Sequence, residues 1–328
     1  MLNKILICSL GSIGRKHLVN IKKYWPEVEL GVWRSGEGYY SSELNQAIKV
    51  FKDLDKALDW KPKGCIIASP AKYHLSIALK VAKRNVPVLI EKPIGTGEEN
   101  ELEWELLRKY SEKLPIMIGY VFRYDACAIK LKEEVERGKI GRILDADFQC
   151  SSWLPEWRKD IRYEESVSAL RELGGGVLLE LSHEIDLAHW LFGEIRVLGS
   201  FLGNSNILDI DVEDYALVTA VNNQGVGISI RLNFCSEYEK RVITIRGSKG
   251  ELIWDLNQAS LSIETNSNSS LFIGEQDRTN IYKKQFEHFF NSILNNAEIS
   301  CTVSEALKTL NFIKNARYYS DNGKQVKT

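Results

Sequence analysis

Through its first 120 residues the chain alternates between short apolar runs and stretches with apolar side chains at helical spacing. The apolar runs fall at 2–8, 28–34, 64–69, 86–93 and 115–120, with helical stretches at 13–24, 71–84 and 98–110. A short run with no polar face to offer water predicts a strand covered on both sides. Within 71–84, Leu75, Ala78, Leu79 and Ala82 fall on one helical face. The stretch at 98–110 opens with acidic residues, which the positive end of a helix favours. Buried strands joined through helices specify a parallel, doubly wound sheet.

After Tyr120 the texture changes. A helix is predicted over 126–138, an alternating strand over 141–153, a charged loop over 155–172 and a glycine-led helix over 174–193. Strand-like segments then follow at 195–203, 214–222, 225–236, 240–247, 250–255 and 259–264, with a closing helical region over 280–320. The Asn/Ser-rich stretch near 266–270 is read as a loop. Successive strands without intervening helices give a mostly antiparallel sheet with one open face. The expected architecture is α/β: a doubly wound parallel domain over 1–120, and an α+β domain with a large, mostly antiparallel open sheet over 121–328.

The chain's 328 residues suffice for two cores, and its net charge of −1 offers no bulk attraction to nucleic acid or to an anionic membrane. No apolar stretch reaches the length of a membrane span, and the N-terminus enters a strand without a leader pattern. The six cysteines are scattered, with no C-x-x-C pair, which reads as reduced thiols in a cytoplasmic protein rather than a disulfide frame. Cys and His do not cluster at ligand spacing, so no metal site is expected.

The first strand runs into "ILICSLGSIGRKHL". A strand, a tight turn and a helix start form an anion site, because backbone N–H groups and the helix dipole face a phosphate. The dinucleotide fingerprint G-x-G-x-x-G here begins with serine: Ser9, Gly11, Ser12, Ile13 and Gly14 occupy the motif. Gly11 lets the backbone approach the pyrophosphate, and Gly14 lets the helix pack on the strand. Ser9 suits the turn if its dihedrals are ordinary. Taken alone, a purely structural turn explains these residues as well as a Rossmann cofactor site does. The next strand ends in Trp33-Arg34-Ser35, where an NAD site carries an acidic residue. Arg34 can pair with a 2′-phosphate and Ser35 can donate a hydroxyl, so NADP is expected over NAD. A solvated arginine at a strand end is the plain alternative.

Further along, a strand ends in Ser69-Pro70, His74 follows at the next helix start, and another strand ends in Glu91-Lys92-Pro93. With "GYVFRYD", "GKIGRI", "GGGVLLELSHEIDLAHWLFG" and "IRGSKGEL", these segments resemble the glucose–fructose oxidoreductase/inositol dehydrogenase family (Gfo/Idh/MocA) over nearly the whole chain. The resemblance implies a Rossmann domain, a second domain with an open sheet, and a lysine of E-K-P that reaches the reacting carbon–oxygen bond, here Lys92. An ammonium at that place can stabilise developing alkoxide charge. It also implies a dimer or tetramer formed through the open sheet face.

In that family a glycine-led helix carries an aspartate four residues before a histidine. Here the histidine is His183, the fourth position back is Leu179, and the carboxylate is Glu180, three residues back. At a spacing of three the two share a helix face. His183 is the natural general acid/base, with Glu180 replacing the aspartate or only orienting the ring. Asp186 can fix the imidazole tautomer or pair with an arginine. His189 reads as structural. His17 reads equally as a neighbour of the cofactor or as a surface residue, and His288 carries no signal.

The segment "SSWLPEWRKDIRYEESVSALRELGGG" holds Trp153, Trp157, Arg158, Arg162, Tyr163 and Arg171, and Arg123 adds a cation. Aromatic faces and guanidinium groups suit an anionic sugar, a sugar acid or a nucleotide sugar. A loose likeness to enzymes of bacterial surface-sugar pathways points the same way. The alternative is a solvated loop in which Arg158 and Arg162 pair with Asp160, Glu164 and Glu165. The expected activity is hydride transfer between NADP, or NAD, and a secondary alcohol or ketone of a sugar-like substrate. The rivals are a redox-sensing, cofactor-binding regulator and a glycosidase that oxidises its substrate transiently and recycles the cofactor.

Overall fold

The computed structural model describes residues 3–34, 45, 47, 49–158 and 161–323. The chain divides into two compact units. The first comprises Met1–Val121 and Arg278–Leu307; the second comprises Phe122–Asp277 and Lys308–Thr328.

In the first unit six strands, β1 (Lys4–Cys8), β2 (Glu29–Trp33), β3 (Lys49–Phe51), β4 (Gly64–Ile67), β5 (Val88–Ile90) and β6 (Ile116–Ile118), form a sheet in the order β3-β2-β1-β4-β5-β6. Every pairing is parallel. The strands are short; β4, β5 and β6 are buried at every position, while β3 is an exposed edge. The connecting helices are α1 (Ser12–Tyr24), α2 (Leu54–Asp59), α3 (His74–Lys83) and α4 (Glu101–Ser111). The strand order reverses between β1 and β4, and in doubly wound sheets ligands bind at the carboxyl ends of such strands.

The sequence boundary near 120 misses one exchange. Helix α8 (Thr279–Asn295) belongs with the first unit. Its Phe286, Phe289 and Phe290 are buried in one core with Leu18 and Ile21 of α1 and the strand residues Ile5 and Leu30. Each such ring contributes about 1.5–3 kcal/mol on burial. The amphipathic pattern of α8 shows that it needs a core, but not which one.

The second unit carries eight strands: β7 (Ile143–Trp153), β8 (Ile195–Gly203), β9 (Tyr215–Asn222), β10 (Gly227–Asn233), β11 (Cys235–Gly247), β12 (Gly250–Asp255), β13 (Ser260–Thr265) and β14 (Asn268–Ile273). Their order is β14-β13-β12-β11-β7-β10-β9-β8, antiparallel except for β7 beside β10. Three sequence boundaries shift. The Asn/Ser-rich stretch is an edge strand, because Leu271, Phe272 and Ile273 extend it along β13. The segment at 225–236 is β10 over Gly227–Asn233, and only its last two residues join the segment at 240–247 in one long β11, which bulges between its pairings at Cys235 and Lys240. The apolar run 86–93 is a strand only over Val88–Ile90, so Glu91-Lys92-Pro93 lies in the following turn.

Helices α5 (Ala126–Glu136), α6 (Val177–Glu180) and α7 (His183–Phe192) pack on the sheet, and α9 (Val303–Gly323) closes the chain. Among the described residues no helix is long and apolar enough to cross a membrane.

Candidate active site

Helices α2, α4 and α5 begin with side-chain caps: Asp53, Asn100 and Asp125 accept from backbone N–H groups of the first turn. Helix α1 has none. Its N-cap is Gly11, no side chain caps it, and no acidic residue lies in its first turn. The first-turn N–H groups are thereby left for an outside anion. A Cβ at Gly11 would meet nothing within 4 Å, so the approach is open. A Cβ at Gly14 would lie 2.3 Å from the Ser9 carbonyl oxygen, so helix and turn touch only because residue 14 is glycine.

Ser9 departs from expectation. Its φ is +77°, the left-handed region in which the fingerprint normally places glycine. Its N–H donates to Trp33 O at 2.8 Å, which ties the turn to β2.

The other cofactor candidates of this unit stand at the carboxyl ends of neighbouring strands. Arg34 follows β2, is half-buried, and its N–H donates to Phe51 O at 3.1 Å. Ser35 lies outside the described residues. Ser69 follows β4, and its buried Oγ has no hydrogen-bond partner among the described residues. A buried hydroxyl in that state can bond a bound group or water. With the open, glycine-started turn of α1, whose lack of a side-chain cap α3, α6, α7 and α8 share, the chemistry of these residues fits a dinucleotide.

His74 joins two of the turns. Its Nε2 lies 2.7 Å from Ser69 O and its Nδ1 lies 2.8 Å from Pro93 O. Complete burial lowers the ring's pKa, against the pull of the two carbonyls. A neutral ring donates to one of them at a time. Pro70 leads into the 3-10 turn that brings His74 into place.

The Glu91-Lys92-Pro93 turn follows β5. Glu91 is buried and accepts on Oε2 from the Lys92 backbone N–H at 3.2 Å; its Oε1 lies 2.6 Å from His17 Nε2. Lys92 itself is half-buried. His17, read from sequence as a cofactor neighbour or a surface residue, is neither exposed nor free: it is fully buried in α1 and bonded to this turn. No spacing rule could have shown this, because the partners are 74 residues apart.

In the second unit the glycine-led helix is broken. Helix α6 ends at Glu180, Leu181 leaves helical geometry at φ −100° and ψ 32°, and α7 begins at His183. Glu180 and His183 therefore do not share one continuous helix face, which corrects the sequence reading. His183 is half-buried at the start of α7, with its ring 4.4 Å from that of Phe122.

The acids around it are claimed by arginines. Asp186 takes a bidentate bond from Arg123, at 2.9 Å from Nε and 2.7 Å from Nη2, with both side chains at most 2% exposed. Glu184 is held by Arg241 at 2.5 and 2.9 Å, and the Arg241 guanidinium lies 4.5 Å from the Phe122 ring centre. Arg123, expected to meet substrate, is thus a buried partner of Asp186. Phe122, Glu184 and Arg241 carried no sequence signal, since β11 and α7 are distant in the chain.

The substrate loop folds as a series of 3-10 turns. Trp153 closes β7, opposite Cys235. Trp157 packs edge-on against Phe234, with ring centres 5.8 Å apart. Arg158 donates to Ser168 Oγ at 3.0 Å, and Arg162 pairs with Glu164 at 3.4 Å on the surface. The Tyr163 hydroxyl accepts from the Asp209 N–H at 3.3 Å. Arg171 donates from its side chain to Asp211 O and from its backbone to the Asp211 carboxylate. Each of these bonds is internal to the second unit, which favours the solvated-loop alternative for Arg162.

Two family models match the chain. "Oxidoreductase family, NAD-binding Rossmann fold" covers residues 3–116, and "Oxidoreductase family, C-terminal alpha/beta domain" covers residues 132–328. The rhizopine catabolism protein MocA of Rhizobium meliloti is 29% identical over 161 residues, a match spanning 47% of this chain and 47% of that protein. The inositol 2-dehydrogenase of Salmonella typhimurium is 24% identical over 299 residues, 88% of this chain and 84% of that enzyme. Among solved structures, a levoglucosan dehydrogenase in complex with NADH and levoglucosan superposes with a TM-score of 0.84 at 16% identity, over 98% of this chain and 97% of that one. By the two family models and the fold they describe, the chain belongs to the Gfo/Idh/MocA family of NAD-binding oxidoreductases.

Proposed function

We propose that the protein transfers a hydride between a nicotinamide dinucleotide and a secondary alcohol or ketone of a sugar or cyclic polyol. The observation that carries this reading is the Glu91-Lys92-Pro93 turn beside an uncapped, glycine-started α1, at the carboxyl ends of parallel strands. The relatives named inositol 2-dehydrogenase and levoglucosan dehydrogenase support the substrate class.

The dinucleotide, when bound, supplies the hydride acceptor or donor. Ser9, Gly11, Ser12, Ile13 and Gly14 cradle its phosphates, and Ser69, Pro70 and His74 shape the adjoining wall. Lys92 hydrogen-bonds the substrate oxygen and stabilises the charge that develops there. His183 takes the hydroxyl proton in oxidation and returns it in reduction. Glu180 orients or relays.

Arg34 supports a preference for NADP, through the 2′-phosphate. Steady-state kinetics with both cofactors tests it: the expected outcome is a lower KM for NADP that Arg34→Ala abolishes, and a wild-type preference for NAD refutes it.

The arginines that favoured an anionic sugar have protein partners: Arg123 with Asp186, Arg158 with Ser168 and Arg162 with Glu164. A neutral polyol or sugar is therefore the better reading, and a sugar acid or nucleotide sugar of surface-sugar synthesis is the comparison that tests it. The decisive experiment follows nicotinamide absorbance with a panel of inositols, anhydrosugars, sugar acids and nucleotide sugars. Turnover that Lys92→Ala and His183→Ala each abolish, with cofactor binding kept, supports the mechanism; turnover surviving in either variant refutes that residue's role. Cofactor that is bound but never reduced by any of the panel favours the regulator or the cofactor-recycling glycosidase. A cytoplasmic homodimer or homotetramer, joined through the open sheet face, completes the reading.

A further inference from the structure

We propose that His17 is a positioning residue, which through Glu91 fixes the turn carrying Lys92 and so ties that lysine to the helix proposed to receive the dinucleotide phosphates. This inference rests on the function proposed above.

His17 sits in α1 and is fully buried. A carboxylate only accepts hydrogen bonds, so His17 Nε2 carries the hydrogen of the 2.6 Å contact to Glu91 Oε1. Its Nδ1 has no hydrogen-bond partner among the described residues. The rest of the ring packs edge-on against Phe286 and Tyr282 of α8, with centres 5.1 and 6.0 Å away. In such surroundings an apolar side chain would fill the space without an unpaired polar atom. What the imidazole adds is the bond to Glu91.

Glu91 is in turn held from three directions. His17 takes Oε1, the Lys92 backbone N–H donates to Oε2 at 3.2 Å, and the end of β6 closes the third side. There Gly119 makes room: a Cβ on it would stand 3.2 Å from the Glu91 carboxylate. The carboxylate therefore bridges α1 to the first peptide of the lysine turn. The dinucleotide and the Lys92 ammonium must meet at one reacting carbon, and a misplacement of about 1 Å there costs on the order of 10²-fold in rate. A rigid link between their two supports serves that requirement.

The test uses His17→Ala, His17→Gln and Glu91→Gln in the full chain, each with thermal unfolding, cofactor affinity by nicotinamide fluorescence, and kcat. His17→Ala is expected to stay folded and to bind cofactor as the wild type does, with kcat lowered on the order of 10²-fold. His17→Gln, whose amide can donate to the same oxygen, is expected to recover most of that loss.

A folded His17→Ala protein with wild-type kcat overturns the inference. So does a loss that His17→Gln leaves unrepaired. If His17→Ala does not fold, Glu91→Gln carries the same expectation: a fall in kcat at constant cofactor affinity, with unchanged kcat as the overturning result. Should Lys92→Ala turn over normally, the proposed role of the lysine fails and this inference falls with it. Should Lys92→Ala be inactive while His17→Ala is fully active, only the inference fails.

Discussion

Ser9 holds a φ of +77°, where a Cβ crowds the following carbonyl at a cost of roughly 1–2 kcal/mol. Glycine would remove that strain but would lose about 0.5–1 kcal/mol more in chain freedom on folding. Ser9→Gly is thus expected to raise stability by up to about 1 kcal/mol in urea unfolding, with cofactor affinity kept. A destabilised variant would show that the serine side chain contributes more than its strain. His189 makes a second residue-scale prediction. Its ring is buried, and burial pushes its pKa down to about 4, while Gly193 O accepts from Nδ1 at 3.1 Å. Above pH 6.5 the ring is neutral in both states. As pH falls from 6.5 towards 4 the unfolded chain takes up a proton that the fold refuses, so stability drops. The full depression amounts to roughly 3 kcal/mol, and His74 acts in the same direction. Urea midpoints at about pH 7 and about pH 4.5 should therefore differ less in His189→Gln than in the wild type; an equal acid loss would assign it to other groups.

At the scale of elements, α7 is anchored by two ion pairs that start from its first turn. Arg123–Asp186 is buried on both sides, so removing one partner leaves an uncompensated charge. Arg123→Ala is expected to cost about 3–5 kcal/mol in urea unfolding, and joint replacement by Arg123→Met and Asp186→Leu to recover most of it. A loss below about 1 kcal/mol in the single variant would mean that water reaches the site. Sequence reading reached this helix but not its geometry. Residues 174–193 are glycine-led with apolar side chains at helical spacing, and that pattern does not show the break at Leu181, which separates Glu180 from His183. Asp186 was legible only as a choice between orienting the imidazole and pairing with an arginine. Its carboxylate takes the Arg123 pair, because that guanidinium is packed beside it and almost fully buried.

For the molecule as a whole, the eight-stranded sheet has helices on one face, while its other face keeps exposed apolar side chains. Phe201 and Leu217, cross-strand partners on β8 and β9, are 51% and 45% exposed. If the proposed oligomer forms there, Phe201→Glu with Leu217→Glu yields monomers in sedimentation velocity without changing the fold by circular dichroism. An unchanged sedimentation coefficient would place the interface elsewhere. The sequence by itself determined what is local: two kinds of sheet, a phosphate turn after the first strand, and a lysine at the end of the apolar run 86–93. These follow from the period of apolar residues and from glycines at fixed offsets, which a single segment contains. Only the tertiary structure decided which distant segments meet: α8 returning to the first core, His17 reaching Glu91, and Arg123 claiming Asp186. Such pairings are settled by close packing and by the cost of leaving a buried charge alone, and neither leaves a mark on the spacing of residues along the chain.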